Sequence, residues 1–600
     1  MSYVLKLKNG IFQVSSCLVI IFLLFFQGCS QEPGPELILT NGKVYTLSWD
    51  EPAPDGTPAS NAPYSSDGWQ PDAEALVIGS GQILFVGSTE DALNYPNERV
   101  IEANQIANQD ESVKVIDVNG ATILPGLVDS HTHVTNLGKA LSILNLVGVE
   151  TEEEAVAKAV EWAKNIPRGE WVIGRGWDEG AWANRYPDMK LLSEKIPDHP
   201  VCLRGLHSFA VWGNKMAFEK AGITSETKAP KGGEIRKDAN GNLTGILINN
   251  ATDLLETAIP GSTPEQIKQQ LLAGLNAMAE AGYVAVHDAG VRREMMDALQ
   301  ILDDEGKLPI RIYAMLSARD ESFMPEWLLM GPRTNPGNKL IVRSVKAYYD
   351  GALGSRGARL LQDYSDKPGH RGVSGNEYGF DEDIIASMMI RGFQVAIHAI
   401  GDAGNREALD FLETVINENP SVKSNRHRIE HAQVIHPDDF KRFIELGLIA
   451  SMEPPHAVED KTWAEDRLGS ERVKGAYAWR TLREIGVRLT FNSDLPGSDH
   501  NIFYGLHAAM TRRGKDKQPT EGWYPEQNMT PEEAIRGYTN WSAYAAFLEN
   551  ETGILEPGRW ADITVMDIDP FVLGETDPGK ILDGEILMTI VNGIVIYEKK

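Results

Sequence analysis

Apolar residues follow two rhythms along this chain. Toward both ends they gather into short runs broken by tight-turn residues. Between the ends, strand-like apolar runs alternate with stretches of helical period. Leu37-Ile-Leu-Thr-Asn41-Gly42-Lys-Val-Tyr-Thr-Leu47 predicts a hairpin turning on Asn-Gly, and residues 75–87 predict a second. Pro52, Pro54, Pro58, Pro63 and Pro71 place a long loop between them. Residues 561–567 and 588–597 are also strand-like, the latter with another Asn-Gly turn at Asn592-Gly593. Strands at both ends predict a small composite β-sandwich made from residues 29–119 and 551–600.

The middle of the chain reads as α/β. Apolar segments end at His133, Asp178, His207, Asp288, Asp350, Asp402, His431, Glu453 and Asp494. Helical stretches intervene, with good starts at Thr263-Pro264-Glu265 and Thr530-Pro531-Glu532. Alternating strands and helices predict a parallel sheet. Residues 120–550 exceed the ~250 residues of a plain (β/α)8 TIM barrel, so an insertion is expected at about 160–260. Within it, residues 232–245 read as a β-hairpin rather than a βα unit. Trp162, Trp171, Trp177, Trp182 and Trp212 make the insertion rich in aromatics, and ordinary core is the preferred reading of them.

Composition narrows the function classes. With 57 basic against 85 acidic side chains the net charge is −28, which repels nucleic acid and offers no basic attraction to anionic lipid. Three cysteines exclude a disulfide scaffold. At the start, Lys6 and Lys8 precede the apolar run from Cys17 to Phe26, too short to span a bilayer and suited to a secretory signal. Gly28-Cys29 after it resembles a bacterial lipobox. Residues 1–28 are therefore expected to be a lipoprotein signal peptide, with a lipid anchor on Cys29 as the only membrane contact. An exported protein, periplasmic or anchored to the outer membrane, is expected. Cys202 would then be a lone, buried thiol.

Strand ends carry the candidate chemistry. His131-Thr-His133 closes an apolar strand, and the period of two puts both imidazoles on one face. Two neutral imidazoles are half of a first-row metal site. His398 and His431 also end strands, as does Asp494. Their spacing assigns these five residues to barrel strands one, five, six and eight, whose carboxyl ends form the active rim of such barrels. Lys346, Tyr348 and Asp350 share a face of another strand, and a lysine beside a cation would have to lose its proton.

From about residue 36 onward the chain resembles the YtcJ-like amidohydrolases, the amidohydrolase-3 group that includes N-substituted formamide deformylase. The resemblance rests on Pro125-Gly-Leu-Val-Asp-Ser-His-Thr-His133, Gly174-Arg-Gly-Trp-Asp178 and Lys346-Ala-Tyr-Tyr-Asp-Gly-Ala-Leu-Gly-Ser-Arg356. It continues through His398-Ala-Ile-Gly-Asp402, Arg428-Ile-Glu-His431, Ser451-Met-Glu-Pro-Pro-His456, Ser493-Asp-Leu-Pro496 and Gly558-Arg-Trp-Ala-Asp562. It implies one or two divalent metal ions, zinc first, bound by His131, His133, Lys346, His398, His431 and Asp494, with Lys346 carboxylated if two are held. It also implies hydrolysis of a non-peptide C–N bond by hydroxide generated at the metal. Asp494 would be the general base, Lys346 part of the catalytic centre, and His456 a partner of substrate or oxyanion. Asp178, His207, Asp350 and His456 are candidate contacts to a small-molecule substrate. A structural role is expected for His287. Two departures stand out: Glu453 where relatives commonly have glutamine, and Asn492 where many have glycine. A dipeptidase or lactonase on the same metal site stays open, as do a non-catalytic binding lipoprotein and a homo-oligomer.

Overall fold

The computed structural model describes residues 34–95, 113–178, 182, 186–206, 209–335, 337 and 339–600. The expected signal peptide, Cys29 and His207 lie outside the described residues. No helix among the described residues is long and apolar enough to cross a membrane.

Eight parallel strands form the central sheet: β1 (Leu127–Thr132), β2 (Tyr283–Val291), β3 (Arg311–Ser317), β4 (Leu340–Tyr348), β5 (Gln394–Ala399), β6 (Arg428–His431), β7 (Ile449–Met452) and β8 (Arg488–Phe491). They pair in chain order, each beside the next. Near-continuous burial along them is what a parallel sheet covered by helices demands. Closure between β8 and β1 uses few backbone bonds. Ser130 Oγ donates to Phe491 O at 3.0 Å, the Asp494 amide to His131 O at 3.0 Å, and the His133 amide to Leu495 O at 3.0 Å. Those last contacts tie the ends of β1 and β8 together where the candidate ligands sit.

The helix after β1, Val134–Leu141, lies against Pro264–Glu280, the helix leading into β2. A Cβ on Gly138 would come within 1.6 Å of Gln270 O, so only glycine permits this approach. Pro264–Glu280 and Pro531–Gly537 both begin with capping boxes, Thr263 with Gln266 and Thr530 with Glu533, at the predicted starts.

Two smaller sheets flank the barrel. A five-stranded sheet joins Lys43–Val44 and Thr122–Pro125 from the N-terminal side to Ile563–Met566, Ile586–Val591 and Ile594–Glu598 from the other end. A four-stranded sheet contains Leu37–Thr40, Ala75–Gly79, Gln82–Gly87 and Lys114–Asp117. One apolar cluster, including Leu39, Ile78, Ile123, Ile563 and Ile590, draws on both sheets. Barrel and five-stranded sheet are tied by a buried bidentate pair, Arg311 to Asp562 at 2.7 and 3.1 Å, with the guanidinium 3.6 Å above the Trp560 ring.

The expected hairpin at 37–47 does not form. Leu37–Thr40 joins the four-stranded sheet and Lys43–Val44 the five-stranded one. Asn41 alone takes a positive φ, 56°, whereas a type I′ hairpin requires it at both central residues. Asn41-Gly42 is therefore a corner between sheets. The hairpin expected at 75–87 is present, as is that turning on Asn592-Gly593.

The insertion folds on a sheet of its own, in the order Leu144–Asn145, Val172–Trp177, Val201–Gly205, Ala210–Gly213, Leu243–Asn249, Gly233–Lys237. It begins ahead of the expected boundary because Leu144–Asn145 pairs with Gly174 and Arg175. Trp177, Trp182 and Trp212 are buried together in its core. The segments ending at Asp178 and His207 are thus not barrel strands, and the third barrel strand, 311–317, is one that the apolar pattern alone did not single out.

Cys202 is buried against Val211, Phe218 and Leu247, and burial pushes its thiol up to about 12. At pH 8 the thiolate fraction is on the order of one in ten thousand. Iodoacetamide at pH 8 is expected to leave the Cys202 peptide unmodified in the native protein and to alkylate it in denaturant. Rapid labelling of the native protein would show the insertion core to be open.

Candidate metal centre

β1 delivers two histidines to one spot because side chains alternate along a strand. His131 is fully buried. Its Nδ1 lies 2.6 Å from Glu430 Oε2, and its Nε2 lies 3.6 Å from Asp494 Oδ1. His133 Nδ1 donates to Ala289 O at 2.9 Å, leaving its Nε2 3.3 Å from the same Asp494 oxygen. Asp494 follows β8 and takes a left-handed φ of 50°, uncommon outside glycine. Asp129 holds that turn: its Oδ2 accepts from Ser493 Oγ at 2.6 Å and its Oδ1 from the Ser493 amide at 3.1 Å.

On the other side, β5 and β6 bring His398 and His431 to a ring-centroid distance of 4.4 Å. His431 also adopts a positive φ, 73°. Glu453, at the end of β7, sets Oε2 3.1 Å from His431 Nδ1 and 3.8 Å from His456 Nδ1. His456 Nε2 lies 4.0 Å from Asp494 Oδ2. Two donor triads result, His131/His133/Asp494 and His431/His456/Asp494, each with ligand atoms within 4.8 Å of one another and both sharing Asp494.

Charge states follow from this packing. Burial, reinforced by the Lys346 charge, pushes His131 down to about 4 despite Glu430, so it is a neutral imidazole at pH 7. Burial and neighbouring cationic groups hold His398 well below the usual range. For His133 burial works toward neutrality, but Asp494 outweighs it and the net shift is upward. Burial opposes ionisation of Asp494, yet the surrounding histidines hold it well below the usual carboxylate range. Lys346 on β4 is buried, with Nζ 2.9 Å from His131 Nε2, and burial brings it down to about 8.

The donor set fits a divalent cation. His398 Nε2 is a buried nitrogen that no hydrogen bond satisfies, and Glu453 Oε1 is a buried oxygen in the same condition. Orphaned buried polar atoms carry a cost unless something binds them. Imidazole and carboxylate together suit a first-row cation.

Asp350, expected as a substrate contact, adjoins the cluster, with Oδ1 3.7 Å from His398 Nε2. It is fully buried and accepts the backbone amides of Arg359, Ile400 and Gly401 at 2.8–2.9 Å, fastening the loop after β4 to the start of the helix after β5. Asp178 directly follows Val172–Trp177 of the inserted sheet and is not among the residues that the cluster gathers. His456, expected as a partner of substrate or oxyanion, sits among the donors.

Several residues that matter were not singled out. Arg428 donates to both Glu430 oxygens at 2.7 and 2.9 Å, and also to Ser130 O and Ser451 Oγ. Glu430 in turn fixes the His131 ring. His287 accepts from Arg428 at 2.9 Å, which places it in the scaffold, as expected. Arg428 and Glu430 alternate on a short strand, a period-two signal for a shared face, but nothing local names His131 as their partner.

Residues 114–597 match the model of the amidohydrolase family. The chain is 31% identical to the amidohydrolase YtcJ of Bacillus subtilis (strain 168) over 88% of its own length and 96% of that protein. It is 26% identical to the N-substituted formamide deformylase of Arthrobacter pascens, over 88% and 95% of the two chains. A metal-dependent hydrolase of Pyrococcus furiosus superposes with a TM-score of 0.68 at 26% identity, covering 89% of this chain and 99% of that one. Barrel, donor cluster and matched length agree: the chain belongs to the amidohydrolase family.

Proposed function

We propose that this chain hydrolyses an amide or formamide C–N bond of a small molecule at the cluster around Asp494. The observation that carries the reading is the convergence of two histidine pairs on that one carboxylate at the carboxyl ends of the barrel strands. His131, His133, His398, His431 and Asp494 would hold one or two divalent cations, zinc first, with Lys346 as an additional ligand once carboxylated. A cation bound there supplies a Lewis acid and lowers the pKa of water to ~7.

The chain's own residues do the rest. The histidines keep Asp494 ionised, so it can accept a proton from water and return it to the departing nitrogen. His456, 4.0 Å from Asp494 Oδ2 and left out of that ligand set, would donate toward a developing oxyanion. Lys346, at about 8, leaves roughly a tenth of its amine neutral at pH 7, the form that carbon dioxide can capture.

The deformylase relative suggests N-formyl compounds as the first substrates to try. Metal analysis of the purified protein is expected to find one or two equivalents of divalent cation, removed by chelator together with turnover of an N-formyl and N-acyl series and restored by zinc. Protein without stoichiometric metal, inactive across the series after zinc loading, would overturn the reading.

A further inference from the structure

The metal side of the rim is anionic and histidine-rich, whereas the ends of β2, β3 and β4 carry a different chemistry. Arg292 directly follows β2 and Arg319 lies just beyond β3. Tyr348, two residues after Lys346 on the same face of β4, is the last residue of its strand. Its ring centroid stands 6.0 Å from that of His398 and 5.3 Å from Lys346 Nζ, so it adjoins the donor cluster. Arg319 packs its guanidinium 4.0 Å from the centre of the Tyr348 ring and 4.6 Å from that of Tyr378. One of its nitrogens donates to Tyr378 O at 2.7 Å, which fixes the side chain.

Arg319 is exposed and has no acidic partner among the described residues. The neighbouring Asp320 is committed to the Arg293 amide and Ser322. An exposed arginine packed on two aromatic rings beside the donor cluster is a pre-ordered anion receptor. In a chain of net charge −28, an anionic substrate would otherwise be repelled from the mouth.

We infer that the rim formed by Tyr348 and Arg319 selects substrates bearing a carboxylate, the guanidinium binding the carboxylate and Tyr348 flanking the part of the molecule between it and the scissile C–N bond. This rests on the hydrolase reading above and adds the substrate class to it. A planar aryl carboxylate suits the site: its ring packs on Tyr348 and its carboxylate meets the free edge of Arg319.

The test uses the full-length, metal-loaded protein and two probes that differ only in charge, N-formyl-4-aminobenzoate and N-formyl-4-aminobenzamide. Wild type is expected to favour the benzoate by about tenfold or more in kcat/KM, mainly through KM. In Arg319→Ala the ratio between the probes falls to near one, and Arg319→Lys keeps part of it. A wild type without preference, or an Arg319→Ala variant that lowers both probes equally, would overturn the inference. If neither probe is cleaved, the hydrolytic reading fails for formanilides while the inference stays testable. Calorimetric binding of the same uncleaved compounds should then show the benzoate bound more tightly by wild type and the difference erased in Arg319→Ala. Equal binding of both by wild type would sink it.

Discussion

Asp494→Asn is expected to lower turnover by about 10²–10⁴-fold while the protein retains most of its metal. Asparagine keeps one oxygen of the same shape, which can still face a cation. What it loses is the capacity to take a proton from water and hand it to nitrogen. Position amplifies the effect. Asp494 Oδ1 lies 3.3 Å from His133 Nε2 and Oδ2 lies 4.0 Å from His456 Nε2, so one carboxylate serves both donor triads. Among the described residues two other carboxylates approach these histidines, but Glu430 is committed to Arg428 and to His131 Nδ1, away from Nε2, and Glu453 lies against His431 and His456 on the β7 side, so neither takes over at the His131/His133 pair. The measurement is kcat on the best N-formyl substrate with metal content determined on the same sample. Turnover within a few fold of wild type at full metal loading would remove Asp494 from the proton-transfer role.

The second large effect is expected inside the barrel. Glu430→Gln should destabilise the protein by about 3–5 kcal/mol and weaken metal binding about 10–100-fold. Glu430 and Arg428 have fully buried side chains, and the carboxylate meets the guanidinium at 2.7 Å while contacting His131 Nδ1 at 2.6 Å. Glutamine offers one acceptor oxygen to two donors and no charge, so a buried guanidinium is left without its counter-ion. The ring it no longer orients is one that the cation needs with Nε2 free. The arginine charge and the His131 contact hold Glu430 well below the usual carboxylate range, although burial opposes it. The stability from that shift is therefore present above the ordinary glutamate value of ~4.3 and is lost only as pH falls through the lower folded value. Chemical unfolding of metal-free protein across pH, together with zinc titration, reads both effects. The variant should be weaker at pH 7 and lack the carboxylate-linked fall at acid pH. An unchanged unfolding midpoint and unchanged zinc affinity would show that Glu430 positions nothing.

Local rules explain why some of this was readable from the chain. His131 and His133 are two apart at the end of an apolar strand, and the pleat alone puts them on one face. Thr263-Pro264 and Thr530-Pro531 start helices because capping is a contact between residues three apart. The Asn41-Gly42 corner departs from the expected hairpin for the same reason. A turn signal states that the chain reverses or bends, whereas the choice between hairpin and corner belongs to the sheets that compete for Leu37–Thr40 and Lys43–Val44. The Asp350 carboxylate accepts backbone amides 9, 50 and 51 residues away, which no spacing rule anticipates.

The sequence by itself determined the α/β alternation, the strand-end placement of His131, His133, His398, His431 and Asp494, and a net charge of −28. Each depends on periodicity, composition or a family motif, and these survive without knowing which surfaces meet. Tertiary structure alone decided that Glu430 steers His131 across 299 residues of chain, that His456 joins the donors, and that Arg319 comes to rest on Tyr348. Those outcomes are settled by packing. A buried charge must find its partner wherever the fold leaves one within hydrogen-bond reach, and that distance is a property of the closed barrel rather than of any stretch of its sequence.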